Sequence, residues 1–185
     1  MFAWVFLVLL VAVAAYGIAL YNSLVRQRQM VREGWSGIDV QLKRRSDLIP
    51  NLVETVKGYV THERDTLEKV VELRNSANSV PAGDIEGRAR AEGALSAALG
   101  RLFALAEAYP DLKASANFAE LQGSIERTEH DLQMARRYYN GAARDLNVAV
   151  ESFPSNLVAR QFGFEAAPFF EIEDPADRQV PKVAF

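Results

Sequence analysis

The chain has 185 residues, of which 49% are hydrophobic and 24% are charged, a composition typical of about one folded domain rather than of a disordered chain. It contains no cysteine, which excludes thiol catalysis, disulfides and cysteine-ligated metal centres. The formal net charge is −3, of which residues 26–45 carry +4 and residues 46–185 carry −7. The remainder is acidic, so the sequence does not indicate a nucleic-acid-binding surface.

An uncharged, strongly apolar stretch occupies residues 2–25. As a helix it would be about 36 Å long, and the hydrocarbon core of a bilayer is about 30 Å thick. A cleaved signal peptide is the alternative, because Ala12-Val13-Ala14 has the form of a cleavage site. However, the stretch has no basic N-terminal region and continues well past that site. We therefore predict an uncleaved transmembrane anchor over residues 2–25.

Three basic residues, Arg26, Arg28 and Arg32, follow the anchor closely, and no lysine or arginine precedes it. The positive-inside rule then predicts a single-pass membrane protein with its body in the cytoplasm. A periplasmic or extracellular body is the alternative. The three arginines form a possible lipid-facing belt, each adding about 1 kcal/mol of attraction to anionic headgroups. Alternatively, they only determine topology. A second basic run, Lys43-Arg44-Arg45, lies further along.

Apolar residues at alternating steps of four and three run through residues 26–153 and predict helices that pack along their length. Pro50 lacks a backbone donor and disfavours helical conformation at the preceding residue. We predict a helix break there, with a kinked continuous helix as the alternative. Residues 78–84 form the predicted turn into a third helix, and residues 110–116 connect that helix to a fourth. The predicted fold is all-α, with one transmembrane helix leading into an antiparallel four-helix bundle.

The fourth helix carries the clearest stripe, from Leu121 to Phe153, and Pro154 ends it. Asn117 and Glu120 have the spacing of a capping box at its start. Isolated glycines in the helical patterns are expected to permit close helix contact; they are Gly87, Gly93, Gly100, Gly123 and Gly141.

A second candidate site on the fourth helix is a possible interaction or packing cluster. Its tyrosine at position 139 falls on the apolar stripe, and we favour helix packing over ligand binding for it. The same interpretation applies to Trp35. The cluster comprises Arg136, Arg137, Tyr138, Tyr139 and Asn140.

Residues 154–185 form a predicted extended tail rich in proline and aromatic residues. Pro168, Pro175 and Pro181 forbid long helices. Four phenylalanines within nine residues would be unfavourable in water, at about 25 cal/mol per Å² of apolar surface. The tail is therefore expected to pack on its own bundle, or else to bind another partner; the four residues are Phe162, Phe164, Phe169 and Phe170.

Catalytic chemistry is not indicated. His62 lacks the second histidine four residues on that a zinc-protease helix requires. Glu129, His130 and Asp131 are neighbours on a helix and point about 100° apart, so we interpret them as polar surface. We predict no catalytic residue, no metal site, no cofactor and no small-molecule substrate.

Several segments of the sequence together resemble the bacterial LemA family. The longest runs from Tyr21-Asn22 through Gln41-Leu42-Lys43-Arg44-Arg45 to the segment Asp47–Tyr59. Tyr109-Pro110-Asp111-Leu112-Lys113, Ala135–Asn140, Ser152–Asn156 with Phe162-Gly163-Phe164, and the final Pro181–Phe185 follow in similar order and spacing. The resemblance implies one N-terminal membrane helix and a four-helix bundle, and it implies no settled biochemical activity.

The leading functional hypothesis is a non-enzymatic membrane-anchored scaffold or adaptor, with the lipid bilayer and a protein, or a homo-oligomer, as partners. One alternative is membrane organisation or remodelling through the basic belt. Another is an accessory factor in membrane protein quality control. An enzyme or small-molecule binder would require a deep polar pocket inside the bundle.

Overall fold

The computed structural model describes residues 1–60 and 63–171, and these residues form helices and connecting segments without a strand. The all-α prediction is therefore confirmed for this part of the chain. The predicted candidates His62, Pro175 and Pro181 lie outside the described residues. The helices are α1 (Phe2–Lys57), α2 (Arg64–Ser79), α3 (Ile85–Ala106), α4 (Pro110–Lys113), α5 (Ala116–Glu151) and α6 (Ser155–Gln161).

Helix α1 continues without interruption through Pro50, so the predicted break is wrong and the alternative of a continuous helix is correct. A proline inside a helix costs about 3 kcal/mol. Its neighbours Ile49 and Leu52 are fully buried in the core, and each buried side chain of this size contributes about 1.5–3 kcal/mol. Because the apolar stripe stays in register across the proline, this burial offsets the lost backbone hydrogen bond.

The chain divides into two compact units. The first comprises residues 1–38 and 134–169. Its core is a cluster of four buried side chains, Leu24, Leu146, Ala159 and Phe164, contributed by α1, α5, α6 and the segment after α6.

Close contact between α1 and α5 in the first unit occurs at Gly34. A Cβ at this position would lie 2.9 Å from the Cα of Tyr139, a separation that folded proteins do not tolerate. The expectation of close contacts at Gly100 and Gly141 is wrong, because a Cβ at either position would meet open space. Periodicity places a glycine on a face of its helix, but it does not show which face meets a neighbouring backbone.

The second unit comprises residues 39–133 together with residues 170 and 171 of the described chain. One apolar core occupies it, and α1, α2, α3 and α5 all contribute, along with Leu112 of α4. The largest contribution comes from α3, whose Leu95, Ala98, Leu99, Leu102 and Ala106 are all buried.

The helix starts agree with the sequence in one case and differ in another. Asp84 caps α3 by accepting a hydrogen bond from the backbone N–H of Gly87 at 2.8 Å. The predicted capping box at Asn117 is wrong, because α5 already begins at Ala116. The Oγ of Ser115 instead accepts a long hydrogen bond from the backbone N–H of Phe118. Serine at the cap position satisfies the same unpaired donors that the asparagine was expected to satisfy.

Residues 154–169 of the predicted tail belong to the first unit. Residues 155–161 are helical, so the expectation of extended conformation is wrong there. Beyond α6, the side-chain amide of Asn147 donates to the carbonyl of Ala167 and accepts from its N–H, at 2.9 and 2.7 Å. Phe164 is buried beside Leu24 and Leu146. Two hydrogen bonds between the Asn147 side chain and the backbone of Ala167, together with one buried ring, therefore hold this segment against α5.

Candidate functional site

A buried charged network in the second unit centres on Arg45, whose side chain is completely inaccessible to solvent. Its guanidinium donates to Glu92 Oε2 at 2.6 Å, to Glu129 Oε2 at 2.5 Å and to Ser96 Oγ at 2.6 Å. Arg88 completes the group with an ion pair to the second oxygen of Glu92, at 2.8 Å. The network joins α1, α3 and α5 through charge-assisted hydrogen bonds, which are about twice as strong as neutral ones.

This network changes the interpretation of two sequence features. Arg45 belongs to the run Lys43-Arg44-Arg45, but only Lys43 and Arg44 are exposed. Glu129, which the sequence predicts to be polar surface, has about a third of its side chain exposed, and its carboxylate also pairs with the buried Arg45. A signal was present in the sequence, since Arg45 lies on the apolar stripe of α1. A charged residue on such a stripe requires a buried partner of opposite charge.

A groove of about 760 Å³ runs between the end of α1 and α2 in the second unit. Apolar side chains form its floor, whereas charged side chains line its rim. The rim charges pair with one another, Lys57 with Glu54 at 3.5 Å and Arg64 with Glu68 at 2.6 Å. Such a groove offers apolar contact area beside paired charges.

The belt arginines Arg26, Arg28 and Arg32 all lie in the first unit, and they differ in surroundings. Arg26 and Arg32 are exposed. Arg28 is partly covered, with its guanidinium carbon 4.7 Å from the centre of the Phe164 ring. This cation–π contact holds the segment after α6 against α1. Two of the three arginines are thus directed to solvent, and the third also contributes to packing.

The cluster at residues 136–140 contains one fully buried member, Tyr139. Its ring packs edge-on against Trp35, with ring centres 5.8 Å apart, and its hydroxyl donates to the carbonyl of Pro168 at 2.7 Å. Burial raises the pKa of Tyr139 to about 12, so the phenol remains a donor at physiological pH. The neighbouring Tyr138 is exposed and donates to Glu33 at 3.4 Å. The guanidinium of Arg137 lies 2.7 Å from the sulfur of Met134. Arg136 and Asn140 each interact with other residues as well.

Replacing Tyr139 with phenylalanine is expected to lower stability by about 1–2 kcal/mol, because the variant keeps the ring and leaves the Pro168 carbonyl without its donor. Thermal unfolding of the full chain in detergent, followed by circular dichroism, measures the change. The matched control is Tyr138→Phe, for which little change is expected because that hydroxyl is exposed. Equal effects of the two substitutions would contradict a structural role for the Pro168 hydrogen bond.

Among residues 1–60 and 63–171, no group of three or more histidine, cysteine, aspartate or glutamate side chains is arranged to hold a metal ion. Glu129 and Asp131 instead pair with Arg45 and Arg44, respectively. The carboxylates of the buried network are thus engaged by arginines.

Comparison with known proteins identifies the family. The LemA family model matches residues 34–185, which is most of the chain. The chain belongs to the LemA family. The match covers the helical body and begins at Gly34, within α1. The resemblance seen in the sequence is therefore confirmed.

Individual relatives are distant. The chain is 25% identical to "Protein LemA" of Metamycoplasma hominis, over 83% of this chain and 69% of the relative. It is 27% identical to "Magnetosome protein MamQ 2" of Paramagnetospirillum magneticum, over 84% of this chain and 66% of the relative. It is 24% identical to "Magnetosome protein MamQ" of Magnetospirillum gryphiswaldense, over 84% of this chain and 66% of the relative. The chain thus spans about two thirds of the length of these relatives, and none of their names denotes an enzymatic activity.

Proposed function

We propose that this protein is a non-enzymatic, membrane-anchored helical scaffold that binds other proteins, or further copies of itself, at a bilayer surface. The observation that carries the proposal is the continuity of α1. Within the first unit, residues 2–38 form a single helix that is long and apolar enough at its N-terminal end to cross a membrane. Within this unit the helix leads from the apolar segment directly into side chains packed against α5, such as Leu24, without an intervening linker.

The architecture we propose for the second unit is an antiparallel four-helix bundle. Support comes from its core, to which α1, α2, α3 and α5 contribute. Residues 2–25 are proposed as the anchor, residues 26–153 as the bundle and residues 154–185 as the C-terminal tail. The basic residues that follow the apolar stretch support a body on the cytoplasmic side of a bacterial cytoplasmic membrane.

Proximity labelling in intact cells tests the scaffold proposal, with the labelling enzyme fused after the last residue of the full chain. Enrichment of a reproducible set of cytoplasmic proteins, or of the chain itself, is the expected result. The matched control is the same enzyme fused to residues 1–33, which retains the apolar segment and lacks the body. Identical labelling by the two fusions, combined with no crosslinked oligomer in native membranes, would refute the proposal.

Membrane organisation through the basic belt is a second candidate, favoured by the exposure of Arg26 and Arg32. If it holds, the purified chain clusters liposomes that contain anionic lipid, and Arg26→Glu combined with Arg32→Glu abolishes the clustering. Each arginine near the surface contributes about 1 kcal/mol of attraction, and salt screens it. Light scattering at low and at high salt measures the extent of liposome clustering.

The control for this experiment replaces two exposed arginines of the second unit, Arg101 and Arg127, with glutamate. It makes the same change in net charge away from the belt. If both double variants lost clustering equally, the effect would come from total charge, and the belt would have no specific role.

A further inference from the structure

Three large apolar side chains are exposed where α5 turns into α6. The segment 152–162, called the α5–α6 elbow below, leaves Phe153 exposed by 80%, Leu157 by 58% and Phe162 by 59%. Rings and branched chains of this size normally avoid water, and several of them together mark a surface that contacts something apolar. The elbow belongs entirely to the first unit.

The elbow lies beside the apolar part of α1. The rings of Phe162 and Tyr21 pack edge-on with their centres 4.9 Å apart. An almost wholly apolar cleft of about 360 Å³ separates the two elements. Its lining residues are Ala14, Gly17, Ile18 and Tyr21 of α1, and Val158 and Phe162 of the elbow. All four α1 residues lie within the uncharged stretch 2–25.

This position sets the depth of the elbow once α1 crosses a bilayer. A hydrocarbon core of about 30 Å needs about 20 helical residues. If the membrane-spanning part of α1 begins at Phe2, it ends near Tyr21. If it begins later in the chain, it ends beyond Tyr21. In either case the residues from Ala14 to Ile18 lie within the apolar layer. Side chains of the elbow that face the same cleft must then reach that layer or its headgroup boundary.

The backbone of the elbow is suited to this environment because its hydrogen bonds are formed internally. The N–H groups of Asn156, Leu157 and Phe162 each bond to a carbonyl within the segment, at 2.8–3.1 Å. Unpaired backbone groups are what excludes irregular chain from apolar layers. Arg160 is exposed on the elbow, and its long side chain can reach the headgroups from a helix lying at the boundary.

Beyond the cleft, towards the C-terminal end of α1, protein covers the apolar side chains of this helix. Leu24 is buried in the core of the first unit, and Arg28 covers the Phe164 ring. By contrast, an 18-residue window in the N-terminal part of α1 has none of its residues buried. The exposed apolar surface of α1 thus meets the elbow at the cleft lined by Val158 and Phe162, and it ends where Leu24 becomes enclosed by protein.

We propose that the α5–α6 elbow is a second membrane contact, which inserts Phe153, Leu157 and Phe162 into the bilayer boundary beside the transmembrane part of α1. The proposal rests on the membrane anchoring proposed above. Continuity with the apolar surface of α1 favours lipid as the occupant over another protein. A contact of this kind would fix the tilt of the first unit against the membrane, as interfacial aromatic anchors do.

Site-specific fluorescence tests the contact in the full chain, which has no native cysteine and therefore takes one label at a chosen position. Single variants Val11→Cys, Phe153→Cys, Leu157→Cys and Ser36→Cys carry an environment-sensitive fluorophore, and each position is exposed. The proteins are reconstituted in phosphatidylcholine–phosphatidylglycerol vesicles with acyl chains brominated near the headgroup or near the bilayer centre.

The expected result is loss of fluorescence at Val11 with centrally brominated lipid, and at Phe153 and Leu157 with lipid brominated near the headgroup. Ser36, about ten residues beyond the last apolar residue of the anchor, should stay unquenched. Quenching at Val11 but not at Phe153 and Leu157 would overturn the elbow contact and leave the anchor intact, including the case in which a protein covers the elbow. No quenching at Val11 would overturn the anchor itself and, with it, the contact.

Discussion

Replacing Arg45 with methionine is expected to lower the free energy of unfolding by about 3–5 kcal/mol, the usual effect of removing one partner of a buried ion pair. The guanidinium is completely buried and bonds Glu92, Glu129 and Ser96. Without it, the carboxylate of Glu92, of which only 3% is exposed, keeps only its ion pair with Arg88. Urea unfolding of the full chain in detergent, followed by circular dichroism, measures the change.

The adjacent residue provides a matched control. Arg44 is exposed and lies 3.9 Å from Asp131, so Arg44→Met removes the same charge and is expected to change stability by less than about 1 kcal/mol. Equal effects at the two positions would contradict the importance of burial.

A double substitution separates the charged network from simple packing. Combining Arg45→Met with Glu92→Leu removes both charges of the most deeply buried pair, and stability should recover part of the loss because no unpaired carboxylate remains in the core. The recovery is partial because Arg88, whose side chain is 16% exposed, loses its partner. Glu129 can then stay charged, since about a third of its side chain is exposed. A double variant as unstable as Arg45→Met alone would show that the arginine acts by filling space.

Gly34→Ala is expected to lower stability by about 1–3 kcal/mol, as overpacking of a well-packed contact does. The new Cβ would lie 2.9 Å from the Cα of Tyr139 and 3.1 Å from the ring of Tyr138. Backbone cannot rotate away as a side chain can, so α1 and α5 must separate. That separation also disturbs the packing of Trp35 on Tyr139. Thermal unfolding in detergent reports the loss.

Gly37 lies one turn further along the same helix and supplies the control. A Cβ there would lie 3.9 Å from the Cβ of Ala135, an ordinary van der Waals contact. Gly37→Ala should therefore raise stability by about 0.5–1 kcal/mol, because alanine loses less conformational freedom in a helix. If Gly34→Ala were also stabilising, the two helices would not be in close contact at that level.

In the second unit the buried network restricts how α1 aligns with α3 and α5, and in the first unit the Gly34 contact restricts how α1 aligns with α5. A charged group on one helix that must meet two carboxylates permits one register only, whereas apolar stripes can slide by a turn. We expect register to be the role of Arg45, and the double variant described above would test it through the uniformity of its spectra.

The continuous helix at Pro50 differs from what the local conformational preference of proline predicts. The proline disfavours helix for its own residue and its neighbour, and on that basis a break was predicted. The stripe of apolar residues, however, stayed in register through Arg45, Ile49 and Leu52. Tertiary burial of Ile49 and Leu52 exceeds the local penalty, so the pattern over several turns was the better guide. At the start of α5 the capping residue is Ser115, two residues before the predicted cap Asn117.

The sequence by itself determined the apolar N-terminal helix, the all-α class and the family, because composition and period are properties of the chain read in order. It also placed Tyr139 on a packed face. Tertiary structure alone decided that Arg45 meets Glu92 and Glu129, that Gly34 rather than Gly100 or Gly141 is the close contact, and that the elbow lies beside Tyr21. These are contacts between residues distant in the chain, and a helical period specifies which face is buried but not which residue lies opposite.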